Sequence, residues 1–204
     1  MIKREQYMSR IRPFIGSELV KVMTGIRRSG KSVMLELVKD ELVESGVDSA
    51  NFISINFEDM RYGHLLNAQA LHDHVMARTA QISGKVYLFF DEIQEVRYWE
   101  KCINSFRVAL DCDIYITGSN AKLLSGELAT YLGGRYVEFV IYPFSFGEFM
   151  ELYRTVEPEA TDAKCFQKYL LSGGMPYLAN LRYEDAPSRQ YLTDLFNSVQ
   201  LKDI

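Results

Sequence analysis

The sequence predicts an α/β fold: a parallel sheet covered by helices, followed by a smaller helical region. Two observations carry this. Strand-like and helix-like segments alternate over residues 19–142, and parallel neighbours need right-handed crossovers that helices usually supply. The run Lys85-Val-Tyr-Leu-Phe-Phe90 is continuously apolar and β-rich, as a strand buried on both faces should be. After Pro143 the strand signals stop. The boundary is therefore set near 143, with a core over 1–143 and a helical region over 144–204.

Taken in order, residues 19–24 (LVKVMT) read as a buried strand that runs into a glycine-containing loop. Residues 32–44 place Val33, Leu37, Val38 and Leu42 at helical spacing. Residues 51–57 (NFISINF) alternate as a second strand, and 66–82 read as a helix. The third strand is 85–90, followed by a helix over 99–110. Residues 113–117 (DIYIT) give a fourth strand, 121–132 a helix and 136–142 (YVEFVIY) a fifth strand. Beyond the boundary, helices are expected over 145–153, 162–172 and 187–202, separated by Pro158, Gly173-Gly174, Pro176 and Pro187. In the last of these, Tyr191, Leu192, Leu195, Phe196 and Val199 recur at helical spacing and need a surface to cover. No glycine or proline closes that pattern, which leaves two readings: the natural chain continues past Ile204, the one favoured, or the helix frays at a natural terminus.

Composition narrows the function classes. Hydrophobic residues make 48% and charged residues 25% of the 204, an ordinary globular balance that argues against disorder, collagen or coiled coil. Apolar runs are short, against the roughly 20 residues that a membrane span requires. The start, MIKREQYMSR, has no apolar block of the kind a secretory signal carries. Cys102, Cys112 and Cys165 are odd in number and widely spaced, so they form neither a disulfide framework nor a metal knuckle. Cytoplasm is the expected compartment. His64, His72 and His74 read as surface histidines rather than a metal set, and the 13% aromatic content as core packing. Charge is uneven: residues 1–32 carry eight Lys/Arg against Glu5 and Glu18, a net +6, and the rest carries −10. Such a basic segment suits an anionic ligand, a nucleic acid or an acidic face of the protein itself.

The chemistry begins at Gly25-Ile26-Arg27-Arg28-Ser29-Gly30-Lys31-Ser32, a match to G-x-x-x-x-G-K-[ST] between an expected strand and an expected helix. Glycine lets the loop turn sharply while backbone N–H groups converge on phosphate oxygens. Lys31 reaches the β and γ phosphates, and the Ser32 hydroxyl ligates Mg²⁺. The start of the helix adds its positive dipole end. Arg27 and Arg28 leave two readings: they neutralise phosphate or reach a second subunit, or their side chains point to solvent while their backbone cradles the ligand. The second is favoured.

Asp91-Glu92 closes the apolar third strand, and parallel sheets collect ligands at the carboxyl ends of their strands. Asp91 there holds Mg²⁺, directly or through water, and Glu92 polarises a water attacking the γ-phosphate. At the tip of the next strand, Thr117, Ser119 and Asn120 each offer a hydroxyl or amide to the γ-phosphate and the water. Ser119 and Asn120 are favoured, though either also suits a helix N-cap. Arg135 follows Gly133-Gly134. It reads either as a cation completing a neighbour's site or as a helix-end cation balancing the dipole.

In this order, GIRRSGKS, YLFFDEIQEV with Trp99 behind it, ITGSNAKLLSGELA, GGRYVEFVIYPFSFGEF and YLLSGGMPYL resemble the prokaryotic AAA-type ATPases that pair this domain with an uncharacterised C-terminal domain. The resemblance covers essentially the whole chain. It implies a P-loop NTPase of AAA/ASCE type, with a five-stranded sheet in the order 5-1-4-3-2. It makes Lys31 and Ser32 the Walker A pair, Asp91 and Glu92 the Walker B pair, Ser119-Asn120 sensor 1, and Arg135 an arginine finger acting in trans. It also implies that Glu58, at the tip of the second strand, contacts the catalytic Glu. No clear sensor 2 Arg accompanies Gly173-Gly174-Met175-Pro176.

The expectation is therefore an ATPase that uses ATP and Mg²⁺ to drive conformational change, with possible self-association through Arg135. The alternatives are a nucleotide-gated scaffold that does not hydrolyse ATP, a nucleic-acid-stimulated motor and, least supported, a small-molecule phosphotransferase. One wall of the adenine pocket is expected near Ile11-Arg12-Pro13.

Overall fold

A computed structural model describes residues 2–118 and 132–203, with side chains described to Gln200. Ser119, Asn120 and nearly all of the helix expected over 121–132 lie outside the described residues. The strands are β1 (Val20–Thr24), β2 (Phe52–Asn56), β3 (Val86–Asp91), β4 (Cys112–Thr117) and β5 (Tyr136–Val140). All neighbours pair in parallel. Their order is β2-β3-β4-β1-β5, which read from the other edge is the 5-1-4-3-2 that the resemblance implied.

Among the described residues the helices are α1 (Glu5–Ile11), α2 (Lys31–Glu44), α3 (Ala68–Thr79), α4 (Trp99–Ala109), α5 (Phe146–Val156), α6 (Asp162–Ser172) and α7 (Asp185–Asp203). Two departures from expectation have clear causes. The mixed charges of the first ten residues hid α1, which buries Tyr7, Met8 and Ile11 on one side. Pro187 does not precede the last helix but lies inside its first turn, where a missing N–H leaves nothing unsatisfied.

The chain forms two compact units, and the described residues fall into them as follows. One holds 5–24, 31–118 and 132–140; the other holds 2–4, 25–30 and 141–203. The first is the sheet with its helices. Alternate strand residues face opposite sides. Val20, Val22, Ile53, Ile55, Leu88 and Phe90 join a buried cluster with Leu71 and Val75 of α3 and with Ile103 and Phe106 of α4. On the other face Phe89 stacks on Tyr115, with centroids 5.0 Å apart, and α2 packs against β3 and β4.

Lys21 and Asp113 are fully buried and paired side by side on β1 and β4. Asp113 Oδ2 also accepts from the Gly16 N–H at 2.7 Å and the Tyr115 hydroxyl at 2.8 Å. Burial pushes the Lys21 ammonium down, against the pull of Asp113.

The second unit is built on α5, α6 and α7. Phe149, Tyr153, Cys165, Met175, Leu178 and Tyr183 form its core. A capping box starts α5: the Ser145 hydroxyl accepts from the Glu148 N–H, and the Glu148 carboxylate accepts from the Ser145 N–H. The glycine pair of the sequence motif has a steric reason. A β-carbon on Gly174 would lie 2.1 Å from the Phe144 carbonyl oxygen, and the Phe144 N–H donates to the Gly174 carbonyl at 2.7 Å. Arg4 is buried in this unit. Its Nε donates to Glu148 Oε1 at 2.9 Å, Nη1 to the Ser29 carbonyl at 3.0 Å and Nη2 to the Tyr142 carbonyl at 2.8 Å.

Candidate functional site

Residues 25–30 belong to the same unit as Arg4. Gly25, Arg28 and Gly30 all have positive φ, at 141°, 64° and 102°, so the backbone reverses repeatedly over six residues. Gly25 is required on space as well as conformation, since a β-carbon there would lie 2.2 Å from the Ile141 carbonyl oxygen. Ile26 is exposed, Arg27 half-buried and Ser29 buried. Arg28 is exposed, yet its guanidinium sits 5.9 Å from the Tyr177 ring centroid and 5.8 Å from that of Tyr191. That is within cation–π range.

Lys31 and Ser32 open α2, and the rest of the candidate site gathers in the sheet unit. Lys31 is 4% exposed, and its Nζ lies 3.8 Å from Glu92 Oε1. Asp91 ends β3. Its Oδ1 accepts from the Thr117 hydroxyl at 2.5 Å and its Oδ2 from the Asn56 amide at 3.2 Å. Thr117 Oγ1 in turn accepts from the Glu92 N–H at 3.0 Å.

Glu92 follows in the left-handed region, φ 54°, and a 3-10 turn over Ile93–Glu95 comes next. That sharp turn brings Gln94 back to Glu92, with Nε2 donating to Glu92 Oε2 at 2.5 Å. Ile93 and Val96 are buried and anchor the turn. A cavity of about 220 Å³ opens beside the start of α2, lined by Ser32, Val33, Glu36, Ser54, Asn56 and Asp91.

The structure thus brings Lys31, Ser32, Asp91 and Glu92 together with Thr117. Ser119 and Asn120 lie outside the described residues. Glu58 is exposed, and its backbone N–H donates to Asn56 Oδ1 at 2.8 Å. It is Asn56 that meets the carboxylate pair, through Asp91. The reason is register: β2 ends at Asn56, which pairs with Asp91, two residues before Glu58.

Arg135 is exposed ahead of β5. Its backbone is fixed by its N–H to the Leu132 carbonyl at 2.8 Å and by its carbonyl to the Val20 N–H at 3.0 Å. Ile11 is fully buried, and Arg12 pairs with Glu5 and Glu41. Sequence reasoning missed Arg4, Asn56 and Gln94. Gln94 stood inside the quoted DEIQ stretch, where its spacing from Glu92 was the available signal.

No helix among the described residues is long and apolar enough to cross a membrane. No group of three or more His, Cys, Asp or Glu side chains among them is placed to hold a metal.

The chain is similar to known proteins. An uncharacterized protein of Haemophilus influenzae is 40% identical over 205 residues, covering all of this chain and 50% of its own length. An uncharacterized protein of Methanocaldococcus jannaschii is 33% identical over 189 residues, covering 87% of this chain and 41% of its own. The chain spans about half the length of the curated relatives it matches.

Among solved structures, AMPPCP-bound DnaA from Aquifex aeolicus aligns with a TM-score of 0.59 at 13% identity, over 98% of this chain and 69% of that one. A RuvB mutant from Thermotoga maritima aligns at 0.52 and 15% identity, over 98% and 68%. These likenesses show a shared fold. The family model described as an AAA domain matches residues 17–150, the span from just before β1 to within α5, and with the sheet order and the 25–32 loop this chain belongs to the AAA domain family of nucleotide-binding P-loop proteins.

Proposed function

We propose that this chain binds Mg-ATP at residues 25–32 and hydrolyses it, coupling nucleotide state to conformational change. The observation that carries this reading is the Lys31–Glu92 approach of 3.8 Å, beside an Asp91 held from both oxygens. The cluster supplies a cation for phosphates, a carboxylate for a metal and a second carboxylate for water. A phosphate-only binding site has no use for the last.

The residues present fit Mg²⁺. Ser32 and Asp91 line one cavity. Each Asp91 oxygen accepts one hydrogen bond, leaving lone pairs of the hard-oxygen type that Mg²⁺ takes. When bound, the ion neutralises phosphate charge.

Lys31 binds the β and γ phosphate oxygens. Glu92 orients the attacking water and accepts its proton as the new γ-phosphorus–oxygen bond forms and the bond from the γ-phosphorus to the β–γ bridging oxygen breaks, with ADP as the leaving group. Thr117 ties the two residues together: its hydroxyl donates to the Asp91 carboxylate and accepts from the Glu92 backbone N–H. Arg135, exposed on a glycine-freed turn, completes the site of a second copy.

Calorimetric titration with Mg-ATP and a phosphate-release assay test this. Lys31→Ala loses binding, because Lys31 meets ground-state phosphates. Glu92→Gln keeps binding and loses turnover, because Glu92 acts on the water. Wild-type turnover in Glu92→Gln refutes the assignment of the base.

A further inference from the structure

We propose that Gln94 is the positioning residue for Glu92, holding its carboxylate in one rotamer through the catalytic cycle. The inference rests on the reading of Glu92 as the base. Among the described residues two side chains meet that carboxylate: Lys31 at Oε1, 3.8 Å away, and the Gln94 amide at Oε2, 2.5 Å away. Of the two, Lys31 is committed elsewhere once phosphate arrives, because its charge is what the phosphate oxygens take. Gln94 is neutral and gains nothing from phosphate. It therefore remains the hold on Glu92 when the base is needed.

The local backbone is built for this contact. Glu92 adopts φ 54°, a conformation that a non-glycine residue rarely takes, and the 3-10 turn that follows folds Gln94 back onto it. The orientation of the carboxamide follows from chemistry: an ionised carboxylate only accepts, so the end facing it is the NH₂.

The other end speaks against a purely structural role. Gln94 Oε1 is buried and accepts no hydrogen bond among the described residues. A glutamine placed to satisfy the turn would use both ends, whereas this one uses the end that grips Glu92. Asn56 does not share this role among the described residues: its amide donates to Asp91, not to Glu92.

The test compares wild type, Gln94→Met, Gln94→Glu, Glu92→Gln and the Gln94→Met/Glu92→Gln double variant. Methionine keeps the length and removes the donor. Glutamate keeps the shape and sets a like charge against Glu92. Steady-state ATP hydrolysis and calorimetric Mg-ATP binding are measured on each.

Both Gln94 variants should lower kcat about tenfold, equivalent to about 1.4 kcal/mol of barrier, with KM and ATP affinity within about twofold of wild type. Retained affinity also shows that the variants are folded. In the Glu92→Gln background, Gln94→Met should have no further effect on the residual hydrolysis, read in single turnover with enzyme in excess, because the group it positions is gone. The proposal fails if kcat is unchanged in Gln94→Met and Gln94→Glu while Glu92→Gln is inactive. It also fails if the double variant loses the full product of the single effects, which is what a structural role gives. Wild-type turnover in Glu92→Gln removes the base itself and the positioning role with it.

Discussion

Replacing Arg4 by methionine removes a buried guanidinium and keeps most of its volume. In the wild type that group bonds Glu148 twice, at 2.9 and 3.3 Å, and the carbonyls of Ser29 and Tyr142 at 3.0 and 2.8 Å. Its side chain is 2% exposed and that of Glu148 12%. Breaking a buried pair from one side costs roughly 3–5 kcal/mol. Glu148 keeps the Ser145 N–H at 2.8 Å and hydroxyl at 3.0 Å, so the lower end applies, about 3 kcal/mol. For a domain of this size that is a fall of about 6–12 °C in Tm.

The loss should depend on pH. Burial pushes the Glu148 carboxyl up, but Arg4 and Ser145 overcome that and hold it below its usual range. A depressed carboxyl stabilises the fold above its unfolded value, and that contribution disappears as pH falls through the folded one. The gap between wild type and Arg4→Met should therefore be full at pH 7 and shrink on acidification below the ordinary glutamate range. Thermal denaturation followed by circular dichroism at pH 7 and pH 3.5 measures both. Adding Glu148→Met to Arg4→Met should recover part of the loss, because the uncompensated charge goes with it. A Tm within 1 °C of wild type at pH 7, or a double variant whose losses simply add, refutes the reasoning.

Three further outcomes are expected. Gly174→Ala forces a β-carbon to 2.1 Å from the Phe144 carbonyl oxygen and should destabilise the fold by about 1–3 kcal/mol, read by urea denaturation. Thr117→Val keeps the shape but strips Asp91 of a donor and leaves the Glu92 N–H without its acceptor. It should cost about 1–3 kcal/mol of stability and reduce turnover in the same phosphate-release assay. Arg135→Ala should leave ATP affinity nearly intact and abolish any rise of specific activity with protein concentration, an effect of roughly 10³–10⁵ in rate. Mixing it with Lys31→Ala should partly restore activity, and no restoration under assembling conditions returns Arg135 to the role of a helix-end cation.

The sheet was legible because its central strands carry unbroken apolar runs and its crossovers carry helical spacing. The candidate site was legible where a residue's place follows from the end of a strand or the start of a helix. Lys31, Ser32, Asp91 and Glu92 are fixed by position along their own segments. Asn56 was not, because which residue of β2 faces Asp91 is a matter of register between two strands, and Glu58 looked as well placed. Arg4 gave no signal at all: a lone arginine in a charged N-terminal segment reads as solvated, and only partners near residues 29 and 142–148 show otherwise.

That separation has a consequence for synthesis. Arg4 and Glu148 lie 144 residues apart, and Gly25 and Gly174 each press on backbone near residues 141–144. Chains elongate at roughly 5–20 residues per second, so about 7–29 s pass between the making of Arg4 and of its carboxylate partner. The first four strands are all translated before then, while the 25–30 loop waits for a neighbour not yet made. Ribosome-bound nascent chains should therefore hold the first four strands well before they can set the loop, and the fifth, which ends at Val140, only just before. Slowing translation between β4 and α5 lengthens the interval in which that loop is open to proteases.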